Sequence, residues 1–360
     1  MTPLKTCCLL GVSAIVGVGA VRNRTTQAPI VTSEFVFTTA RFPSVHASTI
    51  AETNRGLVAA WFGGTREGAN DVGIWLSRRV NDAWTAPIEV ATGVQQDGRY
   101  PCWNPVLFQE ADDALLLFYK VGPTPQGWWG MVRRSSDDGR TWSDAQRLPD
   151  GILGPIKNKP VRLDDGSLLS GSSTESPDNP SRWRVHFERS VDRGRTWSRV
   201  EPPRAADGQA IEAIQPSILI HPGGKLQAVG RTRSQHIFET RSDDGGKSWT
   251  PLALTTLPNP NSGIDAVTLR DGRHVIVYNH TTKGRTPLNV SLSRDGKLWE
   301  AALVLESDSG EYSYPAIIQT RDGLLHVTYT WKRERIKHVV IDPNRFEPVP
   351  MPDGKWPTRG

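Results

Sequence analysis

The chain has 360 residues, with 37% hydrophobic and 22% charged content, 33 glycines and 27 prolines, a balance that favours a turn-rich β protein over a helical one. Its net charge of +5 is scattered, with no basic run and no stacked-aromatic basic motif, so no nucleic-acid partner is expected. Past the first thirty residues no segment is long and apolar enough to span a bilayer, which excludes stable membrane insertion of the mature chain.

At the N-terminus, Lys5 precedes an apolar run from Cys7 to Val21, and Val18-Gly19-Ala20 supplies small residues for cleavage. Residues 1–20 therefore read as a signal peptide cut after Ala20, which makes the protein secreted or periplasmic. The alternative is an uncleaved anchor; lipid attachment is disfavoured because neither Cys7 nor Cys8 follows the apolar run. After cleavage only Cys102 remains, so no intrachain disulfide is expected. Residues 21–33 read as a polar leader. Glu34 to Thr39 alternates like a strand and is expected to close a ring by pairing with the last unit.

From there the chain repeats itself. Ser135-Ser136-Asp137-Asp138-Gly139-Arg140-Thr141-Trp142 returns as Ser190 to Trp197 and as Ser242 to Trp249, with worn copies at Ser77 to Trp84 and Ser293 to Trp299. The Ser-x-Asp-x-Gly-x-Thr-Trp pattern is hairpin chemistry. Ser and Asp side chains bond nearby backbone N–H groups, Gly supplies positive φ, and Trp is expected to plug the turn. The Trp positions are spaced by 58, 55, 52 and 50 residues. A second repeat, a turn followed by an apolar strand, occurs at Asn54-Arg55-Gly56, Asp112-Asp113, Asp165-Gly166, Gly223-Gly224, Asp271-Gly272 and Asp322-Gly323. Two repeats locked in phase at this period predict an all-β, six-bladed β-propeller with Asp-box turns over residues 34–348. The units run approximately over 41–95, 96–150, 151–205, 206–258, 259–305 and 306–348, and residues 349–360 read as a tail. The protein is expected to be a monomer.

Inner strands of a propeller converge on its axis, so polar residues at their entry describe a ligand funnel. The units place there Arg41 and His46; Trp103 and Asn104; Lys157 to Lys159; Gln215; Asn261, Ser262 and Asp265; and Tyr312 and Tyr314. The returning strands add Arg66, Glu67 and Asp71; Tyr119 and Lys120; Glu175; Arg231 and Arg233; His280 and Arg285; and Lys332 and Arg333. Cations outnumber carboxylates, so the expected ligand is an anion. The boxes lack the terminal Glu of a calcium loop, and no His-Glu-x-x-His or Cys-x-x-Cys occurs, so neither metal nor other cofactor is expected. Each residue also has a plain alternative: the arginines as surface ion pairs, Asp71 as a turn cap, Tyr314 as an axial plug.

The boxes are similar to the bacterial neuraminidase repeat of sialidases and their relatives. Arg41-Phe42-Pro43, Arg66 and Asp71-Val72-Gly73 resemble that family's opening Arg-Ile-Pro, second Arg and acid/base Asp. Arg231 and Arg285 resemble the remaining arginines of its carboxylate-binding triad, and Tyr314, nine residues before Gly323, its nucleophilic Tyr. The resemblance implies an exo-α-sialidase-like glycoside hydrolase without cofactor. In it Arg41, Arg231 and Arg285 grip the carboxylate of an acidic glycan or sialoside, Asp71 is the general acid, and Tyr314 the nucleophile. Arg66, His46, Glu67 and Asn104 are further substrate-binding candidates. The chain departs from the family at Gln215-Pro216, where a Glu would polarise the Tyr, and at Thr330-Trp331, where a late Glu would orient the first Arg. It thus resembles a divergent branch. The alternatives are a glycosidase or lyase on another acidic, uronic-acid-containing polysaccharide, with Glu67, Glu175, Asp265 or His46 as acid or base, or a carbohydrate-binding propeller without catalysis.

Overall fold

The computed structural model describes residues 28–111, 114–206, 208 and 210–357; the expected signal peptide and most of the expected leader lie outside them. Among those residues the strands form six antiparallel sheets of four or five strands, plus a small ribbon of Val94–Gln95 and Gly98–Arg99. The sheets follow one another around an axis as the six blades of a propeller. Their inner strands are Ser44–Thr53, Cys102–Gln109, Val161–Arg162, Ala213–Ile220, Asp265–Thr268 and Tyr312–Gln319. No helix among the described residues is long and apolar enough to cross a membrane.

The ring closes through Ile30–Phe35, which pairs antiparallel with Arg335–Ile341 as the outermost strand of blade six. The expected closing strand, Glu34–Thr39, therefore begins too late, and residues 30–33 belong to the propeller. The physical reason lies at Val36 and Phe37: both are buried, and the Phe37 ring stacks on Trp61 at 4.9 Å, so the chain leaves the sheet edge there for the core of blade one. The other end is also docked. Val349–Pro350 adds an edge strand to Trp299–Glu306 in blade five, and Met351 and Trp356 pack on the core beneath.

The box turns behave as their residues dictate. Asp137 accepts the backbone N–H groups of Arg140 (3.1 Å) and Thr141 (2.8 Å) and the Thr141 hydroxyl (2.7 Å), while Ser135 Oγ accepts the Gly139 N–H. The same bonds recur around Asp192 and Asp244, and they pull these three carboxyls down to about 2. The box tryptophans do more than plug their own turns. Trp249 of blade four stacks on Phe187 of blade three at 3.6 Å, Trp197 of blade three meets Phe118 of blade two, and Trp84 of blade one meets His338 of blade six. Each is a staple to the preceding blade, burying aromatic surface at the joint.

Near the axis, polar side chains tie several blades at once. Asp265 is 1% exposed; its Oδ1 accepts from Ser217 Oγ and the Ala266 N–H, and its Oδ2 from Lys159 Nζ and the Ile317 N–H, at 2.8–2.9 Å. One carboxylate thus joins blades three, four, five and six. All its bonds are donors to an anion, which marks it as structure rather than as the acid or base considered from the sequence.

Candidate active site

Four inner strands carry the same irregularity at their axial end. Ala47, Asn104, Gln215 and Tyr314 all have positive φ, between 39° and 58°, and the ladder register slips at each. In three of them a proline follows, Pro105, Pro216 and Pro315, removing an N–H at the point where the ladder is already broken. Left-handed backbone at residues other than glycine is held in place by its surroundings. These four bulges set the side chains around the funnel.

Tyr314 stands at the centre. Its ring lies 4.0 Å from the ring of His46, with planes at 48°. The guanidinium carbons of Arg231 and Arg285 lie 5.3 and 5.6 Å from its centroid, and Lys157 Nζ 5.8 Å. Gly263 passes beneath: a Cβ there would stand 3.2 Å from the tyrosine ring, tight enough that the ring would have to shift by a few tenths of an ångström. The Tyr314 hydroxyl makes no hydrogen bond among the described residues.

The cations are anchored. Lys157 Nζ donates to Asn158 Oδ1 (2.9 Å), to the Ile264 carbonyl (2.9 Å) and to the Pro315 carbonyl, and burial pushes its ammonium down to about 7. Arg231 donates to the Asn261 carbonyl at 3.0 Å and lies over Trp183. Arg285 and Arg333 both bond Glu311 Oε1 at 2.6 Å, and Arg333 also reaches Glu67 Oε2 at 2.5 Å. Burial works to raise the Glu311 carboxyl, but the two guanidiniums prevail and hold it low. Arg333 sits with Lys332 and Glu334 in a three-residue hairpin turn in which Lys332 and Arg333 have positive φ, and its carbonyl accepts the Val45 N–H, locking the last blade to the first.

His46 is 1% exposed. Its Nδ1 shares a 2.9 Å hydrogen bond with Thr330 Oγ1, which also accepts the Ala47 N–H. Burial, followed by the charges of Arg333, Arg285, Arg231 and Lys157, drives its pKa well below the usual histidine range. The imidazole is therefore a neutral base in a field of cations, and Nε2 makes no hydrogen bond among the described residues.

The remaining candidates divide. Gln215 is buried at its bulge with Oε1 lacking a partner, and Asn104 occupies the matching place in blade two. Glu67 is exposed on its outer side and paired with Arg333. Asp71 is exposed in the loop after Ala60-Trp61-Phe62-Gly63-Gly64, with Oδ2 accepting the Thr65 N–H (2.9 Å) and Thr65 hydroxyl (2.5 Å). The Thr65 bond outweighs burial and lowers its carboxyl, so in this arrangement Asp71 is an ionised turn cap. Arg41 and Arg66 are exposed and are not among the cations over the Tyr314 ring. Arg333 joins Arg285 through Glu311. Glu311, which pairs two of these arginines, escaped the sequence reading; its one signal is a carboxylate immediately before the inner strand that carries Tyr314.

Glu175 ends a strand of blade three beside Arg231. Its Oε2 accepts from Trp183 Nε1 at 3.1 Å, and burial raises its carboxyl above the ordinary range against the pull of Arg231 and Arg233. Arg233 stacks over Trp183 at 4.2 Å.

Comparison with known proteins follows the same lines. Residues 55–327 match the BNR repeat-like domain family. An anhydrosialidase from Macrobdella decora is 24% identical over 267 residues, which are 63% of this chain; the chain spans about a third of that relative's length, 33%. Among solved structures, a protein of unknown function from Dyadobacter fermentans superposes with a TM-score of 0.72 at 18% identity, covering 87% of this chain and 98% of that one. The intramolecular trans-sialidase from Ruminococcus gnavus gives 0.68 at 14% identity, covering 89% and 99%. At these identities the structural likeness shows the fold.

Proposed function

This chain belongs to the sialidase superfamily of BNR-repeat propellers, and we propose that it is an exported glycoside hydrolase that removes a terminal, carboxylate-bearing sugar from a glycan. One observation carries the reading: Arg231 and Arg285 converge on the ring of Tyr314 at the axial mouth, where a planar carboxylate meets two guanidinium groups. Arg333, linked to Arg285 through Glu311, extends the same positive wall.

In this reading the terminal sugar's carboxylate sits against Arg231 and Arg285, and Tyr314 Oη attacks the anomeric carbon. A neutral phenol is a weak nucleophile, and Gln215 cannot accept its proton. His46, neutral and with its ring against the phenol, is the base in this reading: its Nε2 comes within reach of Oη and takes that proton as the C–O bond forms. The glycosidic oxygen leaves with a proton from an acid; Asp71 is the family-like candidate, and to serve it must release the Thr65 hydroxyl and take up a proton. Water then attacks the same carbon and gives its proton to the Asp71 carboxylate, while the phenol oxygen departs and takes its proton back from His46.

A second reading is favoured by His46 itself. A neutral imidazole facing arginines is also suited to abstracting the proton α to a uronate carboxylate whose charge those arginines offset, giving elimination rather than hydrolysis.

The test is product analysis on a fluorogenic sialoside and on uronic-acid glycans with wild type, Tyr314→Phe and His46→Ala. Release of free acidic sugar, lost in both variants, supports hydrolysis through Tyr314. An ultraviolet-absorbing unsaturated product, lost in His46→Ala but formed by Tyr314→Phe, supports elimination. No turnover of either class by the wild-type protein, with binding retained, overturns both in favour of a carbohydrate-binding propeller.

A further inference from the structure

Blade three reaches the axis differently from its neighbours. Its inner strand is only Val161–Arg162, and the chain ahead of it enters the axial core as a loop buried over residues 154–158. Two buried charges hold this loop from behind. Glu188 accepts the N–H groups of Leu153 (2.9 Å) and Gly154 (2.6 Å), and Lys120 Nζ donates to the Pro155 carbonyl at 2.6 Å.

The end of the loop bonds three other blades. Lys157 Nζ donates to the carbonyls of Ile264 in blade five and Pro315 in blade six, and to Asn158 Oδ1. Asn158 Nδ2 donates in turn to the Gln215 carbonyl, at the bulge of blade four, at 3.0 Å. Pro315 follows Tyr314 in the chain, and Ile264 follows Gly263, the glycine beneath the phenol ring. One ammonium therefore ties both sides of the phenol's seat.

Donors and acceptors match in number there. An ammonium has three N–H groups, and Lys157 meets three acceptors, all neutral oxygens. No carboxylate bonds it among the described residues: Asp265, whose charge it feels, is taken up by Lys159, Ser217 and two backbone N–H groups. A neutral amine has two N–H groups and a lone pair. Deprotonation would leave one of these oxygens without its donor and turn the lone pair toward it.

We propose that Lys157 is a positioning residue for Tyr314, seating the phenol against His46 only while it carries its proton. The consequence for turnover rests on the proposed role of Tyr314; the consequence for the seat does not. Burial lowers the Lys157 pKa most, Asp265 opposes it, and Lys159 and Arg231 add to it, leaving the ammonium at about 7. Arg285, over the same phenol ring, keeps its charge through this range, and His46 is neutral in it. The seat is therefore intact below about pH 7 and loosens as pH rises through that value.

The first test follows the proton. NMR titration of the Lys157 side chain should give a midpoint near 7. The basic limb of kcat/KM should share that midpoint on an activated aryl glycoside of the acidic sugar, which needs no proton from Asp71. Asn158→Asp places a carboxylate beside the ammonium and should move both midpoints to higher pH together. A limb that does not track the lysine in the two proteins overturns the proposal. The second test removes the donors. Lys157→Met should lower kcat about a hundredfold, the scale of a misplaced reacting group, with KM changed far less. A rise in KM with kcat kept would make Lys157 a substrate-binding cation and overturn the positioning role. The crystal structure of Lys157→Met should show the 4.0 Å ring contact of Tyr314 with His46 lost; an unchanged contact overturns the proposal whatever the enzyme does. Should this variant not fold, wild-type crystals held above the titration midpoint make the same comparison. If the wild type turns over no acidic glycan while the contact is lost in Lys157→Met, the hydrolase reading fails and the seating role stands.

Discussion

The imidazole of His46 and the phenol of Tyr314 lie 4.0 Å apart, ring against ring, although one belongs to the first blade and the other to the last. The contact exists only because the propeller closes. Thr330 fixes Nδ1 of the imidazole, Gly263 makes room under the phenol, and Arg333, Arg285, Arg231 and Lys157 surround the pair with positive charge. Glu311 and Glu67 temper that field by pairing with Arg285 and Arg333.

The first prediction concerns pH. Cations disfavour imidazolium, so His46 keeps its lone pair to well below pH 6.5, and the acid limb of kcat/KM should not carry a histidine step near neutrality. Replacing one cation reverses part of this. Arg333→Gln lowers the cost of protonating His46, raises its pKa, and should move the acid limb to higher pH. An acid limb that stays in place in this variant would remove His46 from the proton pathway.

A second prediction sets Arg231 and Arg285 against Arg41. Arg231→Ala or Arg285→Ala takes a half-buried or buried guanidinium from the face of Tyr314 and should weaken binding of an acidic sugar by about 2–5 kcal/mol. Arg41 is exposed and does not lie over Tyr314 as those two do, so Arg41→Ala, if it behaves as a surface change, should alter binding by no more than about 0.5 kcal/mol. Calorimetric titration with the free acidic sugar measures both; a large loss in Arg41→Ala would restore the triad expected from the sequence.

What the sequence made legible follows from how local each signal is. The box turns close on bonds within a few residues, as from Asp137 to Thr141, so their pattern survives in the sequence and, with the six turn-plus-strand hairpins, gives the blade count. The proline after Asn104, Gln215 and Tyr314 marks equivalent bulges just as locally. By contrast, the pairing of Arg333 with Glu311 depends on a hairpin turn with two left-handed residues, which redirects the side chain and leaves no periodic trace. A tripeptide likeness at Arg41 likewise does not say where the loop carries its side chain. The register of the closing strand was ambiguous because Ile30 to Phe35 and Glu34 to Thr39 both alternate; burial of Phe37 on Trp61 decides between them.

Asp71 supplies a third prediction. The Thr65 hydroxyl holds its carboxyl below the ordinary range, which is unfavourable for a general acid. Thr65→Val removes that bond but keeps the backbone N–H, so the pKa should rise, and activity on a poor leaving group should persist to higher pH. Asp71→Asn should cost far more on a poor leaving group than on an activated aryl one, because the latter departs without a proton. Equal losses on both would make Asp71 a turn cap only.

A fourth prediction addresses Asp265. In Asp265→Asn one acceptor oxygen becomes an NH₂ facing either Lys159 and the Ile317 N–H or Ser217 and the Ala266 N–H, all of which donate in the native arrangement. Loss of a buried charge partner of this kind costs about 3–5 kcal/mol. Thermal or denaturant unfolding should show that loss directly. A variant as stable as the wild type but inactive would return Asp265 to the chemistry.

The last prediction ties ring closure to pH. On the sheet that closes the propeller, His326 Nδ1 bonds His338 Nε2 at 2.9 Å, and His338 Nδ1 bonds Glu34 Oε1 of the N-terminal strand at 3.0 Å. Trp84 also donates to Glu34, and Arg79 lies 3.4 Å from it. Burial, with His338 and Arg79 adding to it against Asp322 and Glu34, drives His326 down to about 4; burial also lowers His338, against the pull of Glu34. A histidine whose folded pKa is depressed resists a proton that the unfolded chain accepts near pH 6.5, so between those values the unfolded state binds more protons. Stability is then fully present above about pH 6.5 and falls as pH drops from there toward about 4. His274 and His280, also driven to about 4 by burial, contribute to the same window. The box aspartates act lower: with pKa values of about 2, their contribution is lost only as pH falls from about 4 toward 2. Unfolding midpoints measured from pH 7.5 to 4.5 should therefore decline, and His326→Gln, which cannot take up the proton, should decline less steeply while the His274 and His280 share of the slope remains. If the variant and the wild type lose stability with the same slope over this range, the histidine pair at the closure is not a site of proton linkage.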